Sequence, residues 1–245
     1  MTHTLDADTG ARATFGLIVL QVDETIEQDA RHCLPDDDLA LYVSRIPSGA
    51  DLTTDTISQM ESDLPAAAAL LPQTPLYDVV GYACTSGTTL IGEGRVAALI
   101  RSSCRATHVT NPLTAAQAAF QHLGITSIAL VSPYVEEIST PVEAAFISGG
   151  VDVKQSISFG EQVEANVARI SATSIADAAV AVVGEANAVF LSCTNLRTLK
   201  LIPELEERLG KPVISSNTAL FWHMARLAGV SAPMQEGGLL LSSQD

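Results

Sequence analysis

The sequence predicts an α/β fold built from two pseudo-symmetric domains, each a short parallel sheet flanked by helices, with the active site in the cleft between them. Three observations carry this. Short apolar runs alternate with helix-like stretches along the chain, the pattern of parallel sheets made of βαβ units. Hydrophobic residues make up 47% of the 245 residues while aromatics make up only 4%, which suits buried aliphatic strands under Ala-rich helices better than a β-sandwich. And the second half repeats the first.

The strands expected in the first half are Phe15–Leu20, Leu39–Val43, Asp78–Ala83 and His108–Thr110. Each is a short apolar or β-branched run bounded by turn residues. Those of the second half are Ser127–Ser132, Val151–Ile157, Ala188–Ser192 and Val213–Ser215. Helices are expected between them near Glu24–Cys33, Asp55–Leu71, Thr88–Arg101 and Thr114–Leu123. The later ones fall near Val135–Ser148, Val163–Gly184, Leu196–Leu209 and Thr218–Ala228.

The repeat is clearest where a strand runs into a Cys-Thr pair. Asp78-Val-Val-Gly-Tyr-Ala-Cys84-Thr-Ser-Gly-Thr-Thr-Leu90 matches Asn187-Ala-Val-Phe-Leu-Ser-Cys193-Thr-Asn-Leu-Arg-Thr-Leu199, with Cys193 lying 109 residues after Cys84. Gly16–Leu20 matches Ile128–Ser132 at a similar offset, which places Asp23 and Tyr134 just beyond equivalent first strands. Asn111–Gly124 likewise resembles Asn217–Gly229, a turn and then an Ala-rich helix. A pseudo-two-fold axis would bring the equivalent strand ends to one central cleft. The last helix is expected to cross back to the first half. The domains are therefore residues 1–112 with 218–245, and residues 113–217.

Composition excludes several classes. The formal net charge is −15, from 13 Lys and Arg against 28 Asp and Glu, and such a surface repels phosphate backbones. No nucleic-acid partner is expected. No apolar run approaches the roughly 20 residues that span a bilayer, and residues 1–13 lack the basic and apolar regions of a secretory signal. A cytoplasmic, membrane-free setting is expected, in which the four cysteines are thiols rather than disulfides. No CxxC or Cys/His cluster has zinc spacing, and Gly92-Glu-Gly94 lacks the spacing of a dinucleotide loop. Neither a metal nor a cofactor is expected.

The chemistry then falls on Cys84 and Cys193. A cysteine between a strand and a helix meets unpaired backbone N–H groups that favour thiolate. Thr85, Ser86 and Thr194 add hydroxyls that can hold a substrate carboxylate beside the sulfur. Two such cysteines on opposite faces of a substrate can remove a proton next to a carboxylate and return one on the other side. Alternatively, one thiolate can add to an activated double bond, allow rotation and leave. A resting pair of one thiolate and one thiol is the expectation, because two adjacent thiolates repel. Cys33 and Cys104 match no partner and are expected to be structural. His108, His122 and His223 are expected to be surface or satisfied core residues, and Phe221 and Trp222 to pack in the last helix.

With these residues in view, the chain resembles the aspartate/glutamate racemase superfamily, in the branch that holds maleate cis-trans isomerase, arylmalonate decarboxylase and the ectoine-utilization protein A group. The marks are Gly16-Leu-Ile-Val-Leu-Gln-Val-Asp-Glu-Thr-Ile-Glu27, Ala83-Cys-Thr-Ser-Gly87, Ser132-Pro-Tyr134 and Leu191-Ser-Cys-Thr-Asn195. The first and last are most similar to the ectoine-utilization subgroup. The resemblance implies that Cys84 and Cys193 are catalytic and that Tyr134 binds the substrate carboxylate or stabilises its charge. It also implies that Asn166 is a carboxylate-binding residue. Asp23 stands where maleate isomerases carry an asparagine; a carboxylate there would repel a second substrate carboxylate and could hold an ammonium group, or it could act as a helix cap. Decarboxylases of the branch keep only the cysteine of the second half, so Cys84 points to a two-cysteine reaction. The expected function is a cofactor-independent racemase or epimerase of a small, amino-acid-like carboxylate, working as a homodimer. Maleate-type isomerisation is the first alternative and arylmalonate-type decarboxylation the second; a non-catalytic small-ligand binding protein is the alternative of a different class.

Overall fold

The computed structural model describes residues 2–5, 9–34, 38–51, 53–230 and 237–243. In chain order the first half contains β1 (Ala13–Leu20), α1 (Ile26–Cys33), β2 (Leu39–Ile46), α2 (Thr54–Ala69), β3 (Tyr77–Ala83), α3 (Thr85–Ile91), α4 (Glu93–Arg101) and β4 (Ala106–Thr110). There follow α5 (Pro112–His122), β5 (Ser127–Ser132), α6 (Glu136–Ser148), β6 (Asp152–Ser158), α7 (Glu164–Val167), α8 (Ala172–Val182), β7 (Ala188–Leu191), α9 (Ile202–Leu209), β8 (Val213–Ser215), α10 (Ser216–Leu227) and α11 (Gly238–Ser242). The eight strands form two four-stranded parallel sheets, ordered β2-β1-β3-β4 and β6-β5-β7-β8. The orders are identical once each half is numbered from its own first strand, so the repeat in sequence is a repeat in topology. In both sheets the strand order reverses beside the first strand (β1 or β5), and the carboxyl ends at such a switch point are where ligands of open α/β sheets bind.

Burial explains the strand composition. β1 pairs with β2 on one side and β3 on the other, and all eight of its residues are buried. It is accordingly an almost unbroken apolar run, as a strand covered on both faces must be. Edge strand β6 is mostly exposed, with only Val153 and Ile157 half-buried.

Two helices exchange between the halves. Helix α5 leaves the first sheet and inserts Phe120 against Phe146 and Phe190, at ring-centroid distances of 5.8 and 5.6 Å, in the core of the second sheet. Helix α10 leaves the second sheet and lies against β3 and β4 of the first, and the two helices pack on each other. Aromatic contacts of this kind add about 0.5–1.5 kcal/mol each beyond the area they bury.

Three predicted helices are shorter than their patterns. Thr88–Arg101 is cut at Gly92, whose φ of +95° is the left-handed conformation that ends α3. Val163–Gly184 becomes α7 and α8, because Ser171 accepts a hydrogen bond from the Ser174 amide and starts a new helix. Leu196–Leu209 keeps only α9, which begins where Pro203 sits in the first turn. Residues 194–201 are turns instead, and this last correction changes the site.

Candidate active site

Cys84 and Cys193 each follow the last residues of an equivalent strand, β3 and β7. Both are closed off from solvent, at 3% and 7% exposure. Their settings differ. Cys84 is the N-cap of α3: its Sγ accepts the Gly87 N–H at 3.1 Å and lies 3.6 Å from Ser86 Oγ. The helix start demands glycine at position 87, since a Cβ there would stand 2.8 Å from both Cys84 Sγ and Tyr82 Oη. Cys193 has no helix behind it. Its φ is +122°, and among the described residues it alone takes positive φ without being glycine. Such a backbone costs about 1–3 kcal/mol and persists only where its surroundings hold it.

The expectation that helix-end amides would favour thiolate does not survive burial. The Cys84 thiol is pushed up to about 11 by desolvation, against the pull of Ser86 and the Gly87 amide. Cys193 is also raised, by desolvation first and then by the neighbouring Glu164 carboxyl. Both shifts favour the neutral thiol, so the helix-end amides do not by themselves hold a thiolate here. Removing a charged sulfur from water outweighs a few amide dipoles.

The hydroxyls are engaged with protein. Thr85 Oγ1 lies 2.8 Å from Ser216 Oγ, Thr194 Oγ1 donates to the Ala83 carbonyl at 3.2 Å, and Tyr134 Oη lies 3.4 Å from Ser192 Oγ. All of these side chains, with Ser86, are buried. The Thr194 bond ties the turn of the second half to β3 of the first.

Asp23 acts as a cap with one carboxyl oxygen and leaves the other unpaired. Its Oδ1 accepts the Thr25 and Ile26 amides at 2.8 and 2.9 Å, capping the start of α1. Its Oδ2 is buried without a hydrogen-bond partner, and the side chain is only 3% exposed. Burial raises its pKa, opposed by those amides and the nearby Thr194 hydroxyl. An unsatisfied buried carboxylate oxygen costs free energy until something donates to it.

Asn166 does not join the cysteines: it sits in α7 and is exposed. The residue of that segment which does face them is Glu164, which sequence reasoning missed. It is 4% exposed, and its field raises both Cys193 and Cys84. Burial, then the Asp23 charge, lifts its own pKa to about 7. Its backbone is pinned between the halves, the amide donating to Ala50 O at 3.0 Å and the carbonyl accepting from Asn195 Nδ2 at 3.3 Å. Asn195 Oδ1 in turn accepts the Glu24 amide at 2.9 Å. One asparagine, two residues past Cys193, thus draws the Asp23 turn and the Glu164 turn to the same place. Nothing in Glu161-Gln-Val-Glu164 distinguishes the inner carboxylate from the outer one.

Cys33 and Cys104 are buried in the first half, and all four cysteines are free. His223 Nδ1 is 2.8 Å from Thr110 Oγ1, with its pKa lowered to about 4 chiefly by burial. Among the described residues, no three His, Cys, Asp or Glu side chains converge as a metal-binding group, and no helix is long and apolar enough to cross a membrane.

The chain is similar to known proteins over nearly its whole length. The arylmalonate decarboxylase of Bordetella bronchiseptica is 29% identical over 229 residues, covering 91% of this chain and 94% of that protein. The maleate isomerase of Geobacillus stearothermophilus is 24% identical over 245 residues, covering 94% and 97%. In fold, the chain superposes on a Nocardia farcinica maleate cis-trans isomerase variant carrying a covalently bound succinylcysteine intermediate. The TM-score is 0.86 at 19% identity, over 95% of this chain and 99% of that one. The family model of arylmalonate decarboxylase matches residues 52–241, and the chain belongs to that family.

Proposed function

We propose that this protein is a cofactor-independent isomerase that racemises or epimerises a small, amino-acid-like carboxylate with Cys84 and Cys193 as its acid/base pair. The observation that carries the reading is the pair of buried thiols at the ends of equivalent strands in two sheets of the same order. One sulfur, as thiolate, takes the proton from the carbon beside the carboxylate; the other, as thiol, donates its proton to the opposite face. The second thiol becomes the thiolate, so the enzyme is ready for the reverse direction. The raised pKa values make each thiolate a stronger base once formed. Amide and hydroxyl groups of the two turns, with Tyr134, would hold the charge that develops on the carboxylate.

Asp23 and Glu164 bear on the substrate. Two carboxyl groups beside the thiols are unfavourable to a second substrate carboxylate and favourable to an ammonium group, which could donate to the unsatisfied Asp23 Oδ2. For Asn166 to bind the carboxylate, its segment would have to turn inward. Within the family, the chain is placed nearest the ectoine-utilization group on Gly16–Glu27 and Leu191–Asn195 as part of the same proposal. The division into residues 1–112 with 218–245 and residues 113–217 is supported by the exchange of α5 and α10. A homodimer and a cytoplasmic setting complete the proposal; sedimentation of the purified chain tests the former.

Maleate-type isomerisation is the second reading, favoured by the isomerase relative and by the succinylcysteine in its structural neighbour. There one thiolate would add to the double bond, permit rotation and depart. Proton NMR in deuterium oxide with amino acids, N-acyl diamino acids, hydantoins and maleate separates the readings. Loss of an α-proton signal that requires both cysteines is the expected result. Conversion of maleate to fumarate without α-exchange would move the chain to the second reading. Binding without turnover across the panel would leave a small-ligand binding protein.

A further inference from the structure

The left-handed backbone of Cys193 is held on both sides by the first two residues of α10. The Cys193 amide donates to Ser216 Oγ at 3.0 Å, and the Thr194 carbonyl accepts from Asn217 Nδ2 at 2.9 Å. Ser216 Oγ also meets Thr85 Oγ1 at 2.8 Å, immediately after Cys84. The Asn217 amide makes a second bond, to Asp29 Oδ2 in α1, at 2.7 Å. Ser216, Asn217 and Asp29 are 0%, 1% and 8% exposed. The side chains that cap α10 are others, Ser215 and Thr218, which bond reciprocally. Ser216 and Asn217 are therefore not needed to start the helix, and their polar groups go to the cysteine turns.

We infer that Ser216, Asn217 and Asp29 form a clamp that positions Cys193, holding its backbone in a conformation a cysteine would otherwise leave and locking it to the Cys84 turn. The physical reasoning is that of strain retained at a site by its surroundings. Without the clamp, the peptide on either side of Cys193 is free to relax toward negative φ. That rotation swings the thiol off the line between strand ends and out of its buried seat. Asp29 acts at one remove: it fixes which way the Asn217 amide points. Cys84 needs no such device, because its own helix holds it. The clamp does not depend on which substrate is turned over.

Two measurements on the full-length chain test it, and neither needs a substrate. The first is the rate of iodoacetamide labelling at each cysteine, read by mass spectrometry. Asn217→Ala and Asp29→Ala should speed labelling of Cys193 by about tenfold or more relative to Cys84 in the same molecules. Asp29→Asn, which keeps an oxygen acceptor for the amide, and Ser216→Thr, which keeps the hydroxyl, should retain most of the wild-type selectivity. Equal acceleration at both cysteines, or none at either, would overturn the clamp. The second compares Cys193→Gly with Cys193→Ala, and stands even if the clamp variants do not fold. Both remove the sulfur, but only glycine tolerates φ of +122° without cost. The glycine variant should melt higher than the alanine variant. An alanine variant that melts at the same temperature or higher would mean that the backbone is not held there.

Discussion

The turns of Cys84 and Cys193 begin from the same strand position and the same Cys-Thr pair, yet they are built in different ways. After Cys84 the chain enters α3 at once, and the sulfur takes a helix amide. After Cys193 it turns to positive φ and runs through residues 194–201 before α9 begins. A duplicated sequence has kept two sulfurs at equivalent strand ends while the backbones behind them diverged. One is stabilised locally by a helix cap, the other by contacts from distant segments. Near-symmetry suits a reaction in which each thiol takes the other's part in the reverse direction. Local asymmetry lets the two have different proton affinities.

Replacing either sulfur should have the largest effect. Cys84→Ala and Cys193→Ala should each lower α-proton exchange by about 10²–10⁴-fold, the range for a lost general acid or base. A single variant that keeps near-wild-type exchange would mean that the two turns do not share one reaction.

The next effect concerns the carboxyl beside them. The Glu164 pKa is raised from 4.5 to about 7, first by burial. A raised carboxyl binds its proton more tightly in the folded state, so its contribution to stability is full below pH 4.5 and is lost as pH rises to about 7. Thermal melts should show Glu164→Gln gaining on wild type across that window by about 3 kcal/mol, at 1.4 kcal/mol for each tenfold. Asp29, raised to about 6 chiefly by burial, acts in a lower window and remains in both proteins, so the difference reports Glu164 together with its coupling to Asp23. A difference that does not change with pH would place Glu164 in contact with water.

Gly87→Ala sharpens the comparison from the Cys84 side. A Cβ 2.8 Å from Cys84 Sγ and Tyr82 Oη must displace one of them, at about 1–3 kcal/mol of stability. Denaturant titration should show the loss, and labelling should change at Cys84 and not at Cys193. Asn166→Ala is the smallest case. Its exposed position predicts a stability change within about 0.5 kcal/mol and an exchange rate closer to wild type than that of Glu164→Gln. The reverse order would show that α7 rearranges around the substrate.

The recurrence of apolar strands, the Cys-Thr repeat and the Ala-rich helices after Asn111 and Asn217 were enough to predict two like sheets, a central cleft and the return of the last helix toward the first half. Strand periodicity and the residue types at strand ends are local properties, and a single chain displays them. The same local signals brought Cys84, Cys193, Asp23 and Tyr134 to attention. They carry no sign that Glu164 is the residue of its short helix that turns inward, while Asn166, which the family resemblance points to, is exposed. Nor could they show that the helix pattern after Cys193 stays unformed until Ile202, or that Ser216 and Asn217 serve the cysteine turns rather than their own helix. Those outcomes depend on contacts between residues more than twenty positions apart, and on burial strong enough to reverse the effect of a helix end on a thiol. The strand ends and the sulfurs could be read from the sequence alone; the backbone at Cys193, the burial that raises both thiols and the carboxyl that faces them were decided only when the two halves closed on each other.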